Sequence, residues 1–158
     1  MKEMNSLTAL RGMKKVLVAQ TLTYFLLVAV IEFGLFYPDL SERYDLPCQI
    51  LLTTALAGFA GASMLQKEEM EYIKSCLKEQ PEILRKSLVL EYGGALLATA
   101  FVLIGVLSVT TNLLGNLPPA TSAFFGLVAL ATIAWRNNSM FTLVKMVLEE
   151  KEAAGTVN

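Results

Sequence analysis

Four long apolar runs, almost free of charge, constrain this chain more than any other feature. A helix needs about 20 apolar residues to cross about 30 Å of hydrocarbon. The runs cover roughly 16–37, 47–65, 88–111 and 119–135. The first holds one charge, Glu32; the second holds none; the third holds Glu91 near its start. Each reads as a transmembrane helix, and together they predict one all-α integral membrane domain over residues 1–158. The first run is too long for a cleavable signal peptide, and Glu32, Phe33, Phe36 and Tyr37 stand where a small-residue cleavage site would lie.

Composition narrows the chemistry. Apolar residues make up 54% and charged residues 17%, against about 45–50% and about 25% in soluble domains. The chain has no histidine. That excludes histidine-ligated haem, a histidine zinc site and a Ser-His-Asp triad. Cys48 and Cys76 make neither a disulfide framework nor a metal knuckle. The expectation is a protein that is not an enzyme, needs no cofactor and binds no nucleic acid.

The basic residues set an orientation, because cytoplasmic flanks are enriched in lysine and arginine. Lys2, Arg11, Lys14 and Lys15 precede the first run. Lys67, Lys74, Lys78, Arg85 and Lys86 lie between the second and third, and Arg136, Lys145 and Lys151 follow the fourth. Only Arg43 lies in the other loops, so twelve of the thirteen basic residues fall on one side. Both termini are expected in the cytoplasm, with the protein in a plasma or inner cell membrane.

Residues 66–87 are charged but carry Met70, Ile73, Cys76 and Leu77 at helical spacing, with a break near Gln80-Pro81. After the fourth run, Asn137-Asn138-Ser139 reads as a bend, or hinge. A cytoplasmic extension helix is expected over about 140–150, with Met140, Leu143, Val144, Val147 and Leu148 on one face. That face suits the membrane surface, a copy of itself or a cytoplasmic activator. Thr54, Gly58 and Ala62, with Ala57 and Gly61 beside them, and Gly94, Ala98 and Gly105, predict close helix packing in the second and third spans.

Glu32 is the residue of most interest, since a charge inside a span is costly and usually faces the bundle interior or a cavity. No second polar group is expected at its depth. Stepping back along the helix from Glu32 gives Val28, Phe25, Thr21, Val18, Lys14 and Arg11 on one stripe. Around an axis of several copies, Glu32 would form a carboxylate ring that selects cations. Val28, Phe25 and Thr21 would form a hydrophobic gate, and Val18, Lys14 and Arg11 a basic inner pore. Asp39, Glu42 and Asp45 supply an acidic outer loop.

In this order of features the chain resembles the Orai family of calcium-release-activated calcium channels. Val28-Ala29-Val30-Ile31-Glu32 is similar to the family's pore segment, and Phe25 matches its pore phenylalanine. Tyr44-Asp45-Leu46-Pro47 is similar to the Tyr-Pro-Pro that leads into the second span, and Leu90-Glu91-Tyr92 to the Leu-Ala-Trp that opens the third. Phe125-Gly126-Leu127 and Trp135-Arg136 are similar to the fourth span's Phe-Gly-Leu and Tyr-Arg, and Asn137-Asn138-Ser139 to the hinge. The pattern departs at Leu17, where the family has a pore arginine, at Phe36, where its acidic vestibule begins, and at Val106, where it has a third-span glutamate. The resemblance implies a hexameric, calcium-selective channel with Ca2+ as the permeant ion. Two other functions fit the same features: a structural or assembly subunit of a larger membrane complex, and a small cation-coupled transporter using Glu32 and Glu91.

Overall fold

The computed structural model of the chain describes residues 6–111 and 117–155, and the side chains of all of these except 41–43. Among the described residues the fold is helical throughout, with no strand. Helix α1 covers Ser6–Phe36, the short α2 Pro38–Arg43, α3 Asp45–Leu65 and α4 Lys67–Lys78. Helix α5, Pro81–Leu88, passes through a π-helical segment, Val89–Gly93, into α6, Gly94–Thr110. Helix α7 covers Pro119–Gly155.

Proline sets several of these boundaries. A proline disfavours helical backbone in the residue before it but fits the first helical turn itself. Tyr37 accordingly leaves the helical region (φ −134°, ψ 66°) between α1 and Pro38. Gln80 does the same (φ −126°, ψ 82°) ahead of Pro81, which is the expected break between α4 and α5. Pro119 opens α7.

Among the described residues three helices are long and apolar enough to cross a membrane: Ser6–Phe36, Asp45–Leu65 and the continuous Pro81–Thr110. They make this a membrane protein. The fourth apolar run forms the first half of α7, where Thr121, Ser122, Gly126 and Thr132 dilute it.

The helices pack as a row, α6 against α7, α7 against α1, and α1 against α3. Small residues bring α6 and α7 close together. A Cβ on Gly105 would stand 3.0 Å from that of Phe125 and 3.2 Å from the carbonyl oxygen of Ser122. Ala98, Ala129 and Ile133 form the buried core of this pair, with Phe101 and Phe125 stacked at 6.4 Å. The crowding expected in the second span is not found within the chain. Helix α3 has no buried residue, and nothing lies within 4 Å of a Cβ built on Gly58 or Gly61. The reason is its place at the end of the row, with α1 as its main neighbour.

Two expectations about the last helix are corrected. The first is the bend: α7 runs unbroken through Asn137, Asn138 and Ser139. Asparagine disrupts a helix when its side chain competes for nearby backbone groups. Asn137 instead donates across to α1, to the Leu17 carbonyl oxygen at 3.1 Å and Thr21 Oγ1 at 2.9 Å, so its own helix is undisturbed. The second concerns the apolar face of the extension, which is covered inside the chain. Val144, Val147 and Leu148 are buried with Ala9 and Met13 of α1 and Ile73, Cys76 and Leu77 of α4, and Leu143 packs against this cluster. The α4 stripe and the extension face cover each other because each is apolar on one side only, and α1 extends past the apolar runs to meet both.

Candidate functional site

The interface of α1 and α7 carries two polar groups of residues, about 16 Å apart along α1 from Glu32 to Thr21 at 1.5 Å per residue. The upper one is built on Glu32. Its Oε1 accepts a hydrogen bond from Ser122 Oγ at 2.8 Å. Its Oε2 is buried and has no partner among the described residues. Gly126, one turn beyond Ser122, lets the helices approach here: a Cβ on it would stand 2.9 Å from Val28 Cγ1 and 3.3 Å from Glu32 Oε1. Ser122, Gly126, Ala129 and Ile133 are the buried face of α7, spaced four, three and four apart. This is the helical period that turns one narrow strip toward α1 and α6.

Ser122 is therefore the second polar group at the depth of Glu32 that was not expected. A signal for it exists in the sequence: Ser122 and Gly126 form a small-residue pair at four-residue spacing, of the kind that brings helices together in lipid.

The lower group is built on Arg136 and Asn137, both buried. Arg136 Nη1 donates to Gln20 Oε1 and to Asn137 Oδ1, each at 3.3 Å, while its Nε is buried without a partner. Asn137 ties α7 to Leu17 and Thr21 of α1, and Thr21 Oγ1 donates to the Leu17 carbonyl oxygen at 3.0 Å. Gln20 and Arg136 had no functional role in the sequence reading, because Arg136 reads there as a topological flank.

The stripe along α1 does not form one continuous face. Val28 is 6% exposed and lies against Gly126, and Glu32 turns the same way. Phe25 is 54% and Val18 49% exposed, and Lys14 and Arg11 are exposed as well. Lys14, Val18 and Thr21 border an open groove of about 310 Å³ together with Asn137 and Asn138. Within the single chain the stripe therefore divides: Val28, Glu32 and Thr21 lie against α7, while Phe25, Val18, Lys14 and Arg11 are exposed.

The acidic loop residues stand apart from Glu32. Asp39 is exposed, and Asp45 is exposed and accepts from Gln49 Nε2 at 2.8 Å. The side chain of Glu42 lies outside the described residues. Glu91 sits in the π-helical segment and borders the cavity beside Arg136, away from Glu32. Ser139 is half-buried, Asn138 exposed, and Val147 belongs to the buried cluster with α1 and α4.

Chemically, Glu32 and Ser122 offer a carboxylate and a hydroxyl inside the helix row. Among the described residues no three His, Cys, Asp or Glu side chains gather into a metal site. Calcium takes about six to eight oxygen ligands, more than one copy of this site offers. No family model, no curated protein and no solved structure matches the chain.

Proposed function

We propose that this protein moves cations across a membrane, with Glu32 as the group that binds them inside the helix row. The carrying observation is the second carboxylate oxygen of Glu32, buried in an apolar helix with no partner. A carboxylate inside a span is costly, by about 2.5–3.5 kcal/mol at the centre and less toward the edge, and such groups line ion and proton pathways; Glu32 lies four residues before the end of α1. Ser122 holds the other oxygen and orients the carboxylate. In this reading the first half of α7 is a fourth span and both termini are cytoplasmic, in accord with the placement of the basic residues.

A second reading is the oligomeric, calcium-selective channel that the Orai-like order of features implies. The exposure of Phe25, Val18, Lys14 and Arg11 favours it, since this half of α1 is free to face other copies. It requires α1 to rotate so that Glu32 and Val28 leave α7.

Flux into liposomes tests both. Native protein is expected to pass protons or sodium, and Glu32→Gln to abolish that flux. Native flux unchanged by Glu32→Gln overturns the reading, as does the absence of any flux from native protein, which would point to an assembly subunit. The two mechanisms separate on Ser122→Ala and on crosslinking. The carrier reading expects Ser122→Ala to slow flux and Phe25→Cys to give no crosslink. The channel reading expects a calcium-blocked sodium leak and a crosslink between copies through Phe25→Cys.

A further inference from the structure

A largely enclosed cavity of about 130 Å³ lies between α1, α4, α5, the π-helical segment and α7, on the side of the chain that holds the basic residues. That is several times the roughly 30 Å³ one water occupies in the liquid. Most of its wall is apolar, with Val16, Leu84 and Met140 among the residues that form it. Its polar end is Arg136, 93% buried by its 7% exposure, with Nε buried and unpartnered. No carboxylate among the described residues comes within salt-bridge distance of Arg136. Two further charged groups border the space: Glu91, half-buried, and Lys74, exposed at the rim.

A buried cation without an ion pair is costly, and the Glu91 carboxylate on the same cavity offsets part of that cost from beyond salt-bridge distance. A guanidinium with a free N–H at one end of a mostly apolar chamber, whose other polar lining is Gln20, Lys74, Ser87 and Glu91, matches one ligand chemistry well. We infer that this cavity is a binding site for a short aliphatic monocarboxylate, its carboxylate on Arg136 Nε and its alkyl chain on the apolar wall. The apolar lining sets the preference over a halide, which would neutralise Arg136 and leave the rest of the chamber empty. The π-helical segment belongs to the same design. Such segments frequently mark functional sites, and here one aims Glu91 at the cavity without closing on Arg136. The inference is independent of whether Glu32 carries cations.

Titration calorimetry of the full chain in detergent tests it, with propionate, chloride and sulfate as probes. Native protein is expected to bind propionate saturably and more tightly than chloride or sulfate. Arg136→Gln is expected to weaken propionate binding roughly tenfold or more. Glu91→Gln is expected to tighten it by removing the like charge. If Arg136→Gln does not fold, Leu84→Phe decides: it fills the apolar end, keeps Arg136, and is expected to lower propionate affinity while sparing chloride. No propionate binding by native protein, equal affinity for propionate and chloride, or native-like binding by a folded Arg136→Gln or Leu84→Phe overturns the assignment.

Discussion

At the scale of single residues, the polar atoms inside the helix row carry most of the information. Ser122 satisfies one oxygen of Glu32 while the other stays unpartnered. Removing a hydrogen-bond donor leaves a buried acceptor unsatisfied, at a cost of about 1–3 kcal/mol. Ser122→Ala is therefore expected to lower stability by that amount, read as a fall in the thermal midpoint in detergent. Ser122→Thr, which keeps the hydroxyl, should lose less. A second residue-scale effect lies near the end of α7. Lys151 donates to Glu79 at 2.7 Å, and that bond raises the lysine above its ordinary value of 10.5. A raised lysine stabilises the fold below its unfolded-state value, and the contribution disappears as pH rises through the folded-state value. Both side chains are largely exposed, so the effect is small. Native protein and Glu79→Gln are expected to differ slightly in thermal midpoint at neutral pH, and the difference should vanish at strongly alkaline pH.

At the scale of elements, equivalent glycines in different helices do different work. A Cβ on Gly105 would press on Phe125 and on the backbone of Ser122, while one on Gly61 would meet nothing within 4 Å. Gly105→Ala is expected to force α6 and α7 apart at about 1–3 kcal/mol. Gly61→Ala is expected to be neutral or to stabilise α3 by up to about 1 kcal/mol through helix propensity. Paired thermal melts in detergent check the contrast. If Gly61→Ala instead breaks up an oligomer on size-exclusion chromatography, the open side of α3 is an interface between copies. Three of the apolar helices and the break before Pro81 were legible because apolar length and proline geometry are local properties. The continuity of α7 was not legible, because Asn137 is helix-compatible only when Leu17 and Thr21 of another helix take its amide.

At the scale of the whole molecule, the apolar row and the cluster around Cys76 share two helices, α1 and α7. Helix α7 continues from the apolar row into a cluster with α4 and the start of α1, where Val144, Val147 and Leu148 are buried at 1–2% exposure. This cluster covers Cys76, itself 2% exposed. Ending the chain after Ser139 would uncover Ala9, Met13, Ile73, Cys76 and Leu77 together. The truncated protein is expected to react with a maleimide at Cys76 far faster than the native protein, in a Cys48→Ser background that removes the other thiol. Equal labelling rates would mean that the C-terminal half of α7 does not seal the cluster.

The sequence by itself determined the helical class, the apolar segments and the presence of one carboxylate, Glu32, within the first of them, because each depends on the composition of a short stretch. It also marked both apolar faces of the cluster around Cys76, but not that they meet. Only the tertiary structure decided where each side chain points. It turned Glu32 and Val28 toward Ser122 and Gly126, gave Asn137 its partners, left Arg136 buried beside a cavity and put α3 at the edge. The physical reason is that helical periodicity ranks the faces of one helix, whereas the choice of neighbour depends on the small residues and polar partners that another helix, far away in the chain, brings to the same depth.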